Sequence, residues 1–262
     1  MSPEHREYLK KLKRRGLFIH ASRIGLLLLA ALLWELAGRV GAVDPFIVSS
    51  PTRVVKTLVS LARAGELLPH IFATFAECTA GFLLGTAAGV LAAVLLWFCP
   101  ILERVLDPYL VVLNALPKIA LGPILIVWVG AGAEAIIVMA LLVSTVVTVM
   151  QVLAGFLENG RDKGQLMRSL GATRMQTFSK AVLPASVPAI MSALKISVGM
   201  SWVGVIVGEY LVSKRGLGYL IVYGGQVFKL DLVMASIAVL CALAAVMYYA
   251  VAAVEAMASK KF

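Results

Sequence analysis

Cysteine, histidine and charged residues are scarce in this 262-residue sequence, and each scarcity excludes a class of protein. The three cysteines and three histidines are isolated and form no CxxC or Cys/His spacing, which argues against a disulfide framework or a metal centre. No GxxxxGK[ST] motif occurs either, so the chain does not hydrolyse ATP through a phosphate loop of that kind. We therefore predict no catalytic residue, no metal ligand and no cofactor bound by this chain.

Apolar residues are abundant: they make up 61% of the chain, against about 45–50% in soluble domains. A membrane-spanning helix needs about 20 mostly apolar residues, and six such segments are present. The sequence predicts an all-α, polytopic membrane protein in which residues 17–262 form a single transmembrane domain. The six predicted spans are about 17–37, 70–98, 108–130, 135–157, 185–208 and 232–254.

The distribution of basic residues predicts the orientation in the membrane. The net charge is +10, and residues 1–16 form a basic arm with six Lys or Arg. Segments on the side of the two termini carry fourteen Lys or Arg, among them Lys260 and Lys261, whereas the other side carries seven. By the positive-inside rule both termini are predicted to be cytoplasmic. The basic balance is thus explained by the bilayer, and no nucleic-acid partner is predicted.

The spans and their connections carry further local signals. Ser50 and Pro51 are typical of a helix start, and the helix of about residues 51–64 is too charged to cross, so we place it on the outer surface. Gly81, Gly85 and Gly89 form a small-residue seam for close helix packing. The charged residues 103–107 predict a short return loop. Pro117 is expected to kink the third span.

A polar, basic segment at about residues 158–184 separates the fourth and fifth spans. Gly171 predicts a turn between two short helices within it. The spacing of Leu170, Phe178 and Val182 predicts that their side chains share one helical face. From these properties alone the segment is either an ordinary basic loop or a docking surface for a soluble partner.

The sequence SLGATRMQTFSKAVLPASVPAI resembles the cytoplasmic loop of ABC importer permeases. That pattern is Glu-Ala-Ala, three residues, Gly, nine residues and Ile-x-Leu-Pro, and Gly171, Leu183 and Pro184 stand at matching places. Gln165 and Ala181 depart from it. Similar motifs extend over about four fifths of the chain: Ile-Val-Ser-Ser-Pro, Ala80-Gly81-Phe82, Leu116-Pro117-Lys118 and Gly216-Leu217-Gly218-Tyr219-Leu220-Ile221. The whole resembles the nitrate, sulfonate and taurine branch of these permeases.

The resemblance implies partners and a location. A second permease copy, two cytoplasmic ATPase subunits that bind ATP and Mg, and an external solute-binding protein are expected, in a bacterial plasma membrane. The fold implied is that of type I ABC importers. The residues expected to couple the chain to the ATPase are Gln165, Ser169, Leu170, Gly171, Ala172, Phe178, Leu183 and Pro184.

Glu77, Lys118 and Lys195 are charged residues within the spans, and they are candidates for the translocation path because a charge in the bilayer is costly. Pro117, next to Lys118, is a candidate for the same path. Lys118 either lines the path or snorkels to an interface or pairs with Glu77. Lys195 is predicted to be deep in the membrane and lines the path or is structural. Met200 and Trp202 either contact the solute or pack in the bundle.

The connection between the fifth and sixth spans is expected to be a flexible outer hairpin. Gly216, Gly218 and Tyr219 are candidates for a gate or a contact with the binding protein, or form only a tight connector. Glu209 either anchors this hairpin or belongs to the same contact.

The solute stays open at this point. Two lysines favour an organic anion such as a sulfonate, taurine or a nitrate-like solute, while a thiamine-precursor pyrimidine or a riboflavin-like heterocycle is the alternative. An ion-coupled secondary transporter is the alternative class, and it predicts uptake without an ATPase. A polytopic enzyme would need an acid, base or metal cluster that the sequence lacks.

Overall fold

The computed structural model describes residues 3–258, and the regular elements within that range are helices. The side chains of residues 3–13, and all of Lys260 and Lys261, lie outside the described part, so the predicted basic arm is known there only as backbone. The helices are α1 (Pro3–Arg39), α2 (Pro45–Val48), α3 (Pro51–Arg63), α4 (Leu67–Phe98), α5 (Pro100–Ala115), α6 (Gly122–Val129), α7 (Ala133–Ser169), α8 (Arg174–Thr177), α9 (Leu183–Ala185), α10 (Val187–Val212), α11 (Leu217–Gln226) and α12 (Leu230–Ala258).

Six membrane segments were predicted, and the helices account for them. Segments of α1, α4, α7, α10 and α12 are long and apolar enough to cross a membrane. The third predicted span is α5 followed by a 3-10 turn (Lys118–Leu121) and α6, with a bend of 88° between the two halves. The break falls at Pro117, as expected for a proline that cannot donate a backbone hydrogen bond.

The connection before that bend differs from the prediction. The predicted return loop at residues 103–107 lies inside α5, which starts directly after α4. Pro100 occupies the first turn of α5, where a missing N–H is tolerated and the fixed φ favours a helix. Pro100 therefore follows the end of α4 and is also the first residue of α5.

The predicted boundary after the fourth span is wrong as well. α7 continues without interruption to Ser169, so the first half of the polar segment is the end of a 37-residue helix rather than a separate short one. The apolar part of this helix ends near Arg161. The remaining eight residues, 162–169, extend about 12 Å past that point at the helical rise of 1.5 Å per residue.

The core of the bundle is formed where α4, α7 and α10 pack against one another. The predicted glycine seam of α4 faces α7: a Cβ placed on Gly81 would lie 2.5 Å from the Ala140 Cβ, and one on Gly89 would lie 2.6 Å from the Thr148 Cβ. The same Thr148 also contacts α10, since its hydroxyl lies 2.6 Å from the Ser197 hydroxyl. Small residues thus bring the three backbones together.

The helix predicted at residues 51–64 is α3, and its start is as expected. Ser50 Oγ accepts a hydrogen bond from the Arg53 N–H at 3.4 Å, and Pro51 follows as the first helical residue. The Arg53 guanidinium binds Asp231 at the start of α12 at 2.8 Å. This ion pair holds α3 against α12.

Candidate coupling loop and intramembrane sites

α7 ends in a tight turn centred on Gly171. The backbone of Gly171 has φ +78°, in the left-handed region that favours glycine. Its N–H donates to the Arg168 carbonyl at 3.0 Å, and the Ala172 N–H donates to the Met167 carbonyl at 3.0 Å. These two bonds form the Schellman pattern that closes a helix. A Cβ on Gly171 would have no neighbour within 4 Å, so the turn projects into open space.

The next helix begins immediately, through a capping box. The Gln176 N–H donates to Thr173 Oγ1 at 3.3 Å, and the Thr173 N–H donates to Gln176 Oε1 at 2.9 Å. The spacing Thr-x-x-Gln is the sequence signature of this motif, which was not among the helix starts predicted above. Hydrogen bonds therefore define the turn on both sides.

Phe178 lies in the core of the chain and does not form a surface. Its side chain is 6% exposed, and its ring centroid lies 4.8 Å from that of Trp97 and 5.3 Å from that of Phe156. Arg174 covers this cluster: its guanidinium donates to the Trp97 carbonyl at 2.9 Å and stacks over the indole. The prediction that Phe178 presents a docking face is wrong.

The predicted common face of Leu170, Phe178 and Val182 is wrong for the same reason. Val182 is fully buried with Phe178, whereas Leu170 is 74% exposed. The Gly171 turn interrupts the helical phase between Leu170 and the other two. The large apolar side chains exposed around the turn are Leu166 (62%), Leu170 (74%) and Met175 (64%).

The other residues predicted for coupling surround the same turn. Gln165 and Ser169 are exposed on the last turns of α7, and Ala172 is half-buried. Leu183 and Pro184 lie after a π-helical turn (Phe178–Val182) that leads into the next long helix. The role of these residues in coupling stays a prediction.

Lys118 sits at the break between α5 and α6. Its ammonium donates to the backbone carbonyl of Asn114 at 3.1 Å and to the Asn114 side chain at 3.4 Å. Within the described residues no ion pair joins Lys118 to Glu77, so the predicted alternative of pairing with Glu77 is not what the structure has. Lys118 remains a candidate for the path.

Lys195 forms an ion pair that was not predicted from the sequence. Its ammonium lies 2.8 Å from Glu255 Oε2 and 3.0 Å from Oε1, which joins α10 to α12. Trp202, two turns further along α10, is buried in the core, and Met200 is half-buried. A groove of about 390 Å³ between the two helices is lined by both Lys195 and Trp202.

Glu209 anchors the start of α11, which was one of its two predicted roles. The side chain is 1% exposed, and Oε2 accepts hydrogen bonds from the N–H groups of Gly218 at 2.5 Å and Tyr219 at 3.4 Å. Gly216 has φ +121°, and a Cβ there would overlap the Glu209 carboxyl group. The prediction that Glu209 contacts a binding protein is wrong, because the carboxyl group is buried.

Two residues of α4 complete this anchor. The Gly216 N–H donates to His70 Nδ1 at 2.9 Å, and the Leu217 N–H donates to Thr74 Oγ1 at 2.8 Å. Together with Glu209 they satisfy the free N–H groups at the start of α11. The predicted flexible hairpin is therefore a short, firmly held helix. His70 and Thr74 are four residues apart, a spacing that places both on one helical face.

Glu77 lies beside this anchor, and its carboxyl group interacts with that of Glu209. Glu77 Oε2 and Glu209 Oε1 are buried without a hydrogen-bond partner among the described residues. Within the part of the chain that the structure describes, Glu77 therefore lies with the Glu209 carboxyl group near α11 and forms no ion pair with a lysine.

Comparisons with known proteins agree on one family. A family model described as "Binding-protein-dependent transport system inner membrane component" matches residues 85–260. A Bacillus subtilis protein named "Putative aliphatic sulfonates transport permease protein SsuC" is 30% identical over 215 residues, which cover 81% of this chain and 78% of that protein. The formylaminopyrimidine transport permease protein ThiX of Halalkalibacterium halodurans is 28% identical over 192 residues, or 73% and 76% of the two chains.

A solved structure shares the fold. The chain superimposes on a structure titled "Inward facing conformations of the MetNI methionine ABC transporter" with a TM-score of 0.65. The match covers 73% of this chain and 95% of that one, at 21% sequence identity.

Proposed function

We propose that the Gly171 turn of this chain docks on a separate ATPase subunit. The chain belongs to the family of binding-protein-dependent transport system inner membrane components, and it is a permease subunit of an ABC importer in the bacterial plasma membrane. The observation that carries this proposal is the shape of the turn. It projects from the bundle, is defined by hydrogen bonds on both sides, and exposes Leu166, Leu170 and Met175. Apolar side chains on a rigid turn are suited to a groove in a partner.

The connection of the turn to the bundle suggests how movement reaches the membrane. α7 is one continuous helix from Ala133 to Ser169, and its membrane half packs against α4 and α10. A displacement of the turn is therefore transmitted to the core through one uninterrupted helix. In the proposed cycle, ATP closes two ATPase subunits, the two turns approach each other, and two permease copies change from one access state to the other.

The same proposal specifies partners and orientation. ATP and Mg bind to the ATPase subunits, and an external binding protein delivers the solute. The second permease is a copy of this chain, and both termini and the Gly171 turn lie in the cytoplasm. Residues 17–262 form the permease domain, preceded by the basic arm of residues 1–16.

Substitution of Gly171 tests the docking role. Gly171→Leu forces a branched side chain into φ +78° and places its bulk where the partner is proposed to sit. We expect ATP hydrolysis by the assembled transporter to continue while uptake falls at least about tenfold, the factor that corresponds to 1.4 kcal/mol of lost coupling. Uptake and ATPase activity should be measured together in proteoliposomes.

Gly41→Leu is the matched control. Gly41 has nearly the same backbone angle, φ +76°, and a Cβ there would likewise have no neighbour within 4 Å. The two substitutions therefore introduce similar local strain, but Gly41 lies at the end of α1. Full coupling in Gly171→Leu, or equal uncoupling in both variants, would contradict the docking role.

For the solute we propose a small organic anion such as a sulfonate, taurine or a nitrate-like compound. The similarity to a sulfonate permease supports this class. The intramembrane charge supports it less than the sequence suggested, because Lys195 is paired with Glu255. The similarity to ThiX favours a thiamine-precursor pyrimidine as the second candidate, with a riboflavin-like heterocycle as a related possibility.

The solute class is tested on the partner binding protein. A ligand that binds only the folded protein raises its melting temperature with ligand concentration, by RT ln(1 + [L]/Kd) in free energy. We expect alkanesulfonates and taurine to stabilise it and pyrimidines to leave it unchanged. Stabilisation by pyrimidines alone would overturn the anion assignment without affecting the coupling role.

A further inference from the structure

The coupling loop of about residues 158–184 forms part of a basic cleft. The cleft shares Gln165 and Ala172 with the residues predicted for coupling, but its arginines have no role in the function proposed above. It has a volume of about 550 Å³ and lies between the end of α4, the start of α5, the end of α7 and α8. The described residues that line it include three arginines and no carboxylate: Trp97, Pro100, Leu157, Gly160, Arg161, Gly164, Gln165, Arg168, Ala172, Arg174 and Thr177.

Two of the three arginines are held in place by backbone carbonyls. The Arg174 Nη2 donates to the Trp97 carbonyl at 2.9 Å, and the guanidinium stacks 5.5 Å from the centre of the Trp97 ring. Arg168 Nε donates to the Gly164 carbonyl at 3.2 Å. Each guanidinium has five N–H donors, so further donors remain for a ligand in the cleft. Arginines that are positioned in this way are suited to phosphate oxygens.

The cleft lies at the level where the membrane segments end. The apolar part of α7 stops near Arg161, and α4 ends one residue after Trp97. Tryptophan is typical of the membrane–water interface. Leu157 lines the cleft one turn before Arg161, and Ile101, next to the lining residue Pro100, is exposed. Basic groups thus lie next to exposed apolar side chains at the level where the apolar parts of the helices end.

We propose that this cleft binds the phosphate of an anionic phospholipid from the leaflet that faces the coupling loop. The phosphate is held by Arg161, Arg168 and Arg174, and the acyl chains lie along the exposed apolar surface near Leu157. Basic pockets between membrane helices are known sites for anionic headgroups. A lipid bound here would touch both α4–α5 and the segment that carries the Gly171 turn, and would hold them together.

The test uses the full-length chain in detergent, with its melting temperature as the readout. Dioleoyl phosphatidylglycerol is titrated, with dioleoyl phosphatidylcholine and inorganic phosphate as parallel arms. We expect phosphatidylglycerol to raise the melting temperature. Each basic residue near the surface contributes about 1 kcal/mol to the binding of an anionic lipid, so Arg161→Gln should raise the half-saturating lipid concentration about fivefold. The double variant Arg161→Gln/Arg168→Gln should raise that concentration about 25-fold.

Matched variants separate binding from folding. Arg104→Gln removes an exposed arginine of α5 that does not line the cleft, and should leave the titration unchanged. Arg161→Lys and Arg168→Lys keep the charge and should lose less than the glutamine variants. Circular dichroism without lipid shows whether each variant is folded before its titration is compared.

Three results would overturn the proposal. An equal response in the wild type and in Arg161→Gln/Arg168→Gln would show that the lipid acts elsewhere. An equal effect of inorganic phosphate would assign the cleft to a soluble anion. Loss of the lipid response when the ATPase subunit is bound would show that the partner occupies the cleft. A failed Gly171→Leu test would leave the lipid proposal standing, since the two use different residues.

Discussion

Gly85 of α4 and Gly199 of α10 differ in how closely a neighbouring helix approaches them. A Cβ on Gly85 would collide with the Ser144 hydroxyl of α7 and lie 3.2 Å from the Leu141 carbonyl. A Cβ on Gly199 of α10 would have no neighbour within 4 Å. Both glycines are inside helices, so their intrinsic cost to the helix is the same. Only Gly85 is required by packing.

This difference predicts opposite outcomes for the same substitution. Gly85→Ala should lower stability by about 1–3 kcal/mol, because overpacking separates α4 from α7. Gly199→Ala should be neutral or raise stability by up to about 1 kcal/mol, the helix-propensity difference between glycine and alanine. Thermal unfolding in detergent measures both. A Gly85→Ala variant as stable as Gly199→Ala would show that the seam is looser than described.

Glu209 shows how one buried side chain can replace a flexible connection. The carboxyl group accepts two backbone N–H groups of α11, and the glycines at 216 and 218 leave room for it. Sequence reasoning identified Glu209 as an anchor but could not identify His70 and Thr74 as its partners. These residues are more than 130 positions away, and only the packing of α4 beside α10 brings them together.

At the level of elements, α3 is tied to α12 through Asp231. One carboxylate oxygen accepts from Ser49 Oγ at 2.7 Å, and the other accepts from Arg53 Nε and Nη2 at 3.0 and 2.8 Å. Ser49 itself is buried with φ 61°, an uncommon angle for a residue other than glycine. The backbone conformation of Ser49, just before α3, thus accompanies a hydrogen bond to Asp231 of α12.

Removal of this carboxylate should release α3. The ion pair is partly exposed, so we expect Asp231→Ala to cost only about 1 kcal/mol of stability, together with faster amide hydrogen exchange in α3. Asp107→Ala, an exposed aspartate of α5, is the control and should change neither quantity. Exchange in α3 that stays at the wild-type rate would mean that apolar packing around Val54 alone holds the helix.

The coupling loop is another element whose form depends on its ends. The Schellman turn at Gly171 and the capping box at Thr173 are local, and the sequence alone could have predicted both. The burial of Phe178 is not local, because Trp97 and Phe98 come from the end of α4. The docking surface predicted from helical periodicity was wrong for that reason.

For the whole molecule, the orientation in the membrane remains a prediction from charge distribution. The chain has a natural probe for it: Cys99 is exposed between α4 and α5, close to the coupling loop, whereas Cys78 is buried. Cys241 is exposed on the membrane segment of α12, where a charged reagent does not reach it. One cysteine therefore reports on the side of the coupling loop.

A membrane-impermeant maleimide should label Cys99 in inside-out vesicles and not in intact cells or spheroplasts. The physical reason is that a charged reagent does not cross the bilayer, and the basic loop is expected on the cytoplasmic side. The double variant Cys99→Ser/Lys214→Cys, which moves the reactive thiol to the turn between α10 and α11, should show the reverse pattern. Labelling of Cys99 from outside would invert the proposed topology and place the coupling loop away from any cytoplasmic ATPase.

The sequence by itself determined the class of protein, the membrane segments, the seam of α4 and the glycine turn at 171. Each of these depends on composition or on residues within a few turns of one another. The sequence also predicted the kink at Pro117, and the structure added its angle of 88°. The tertiary structure alone decided that Lys195 pairs with Glu255, that Phe178 is core and that α11 is anchored by α4 and α10. Each of these three features depends on a contact between helices that are far apart in the sequence. The order of apolar residues along the chain does not specify which helices pack against each other.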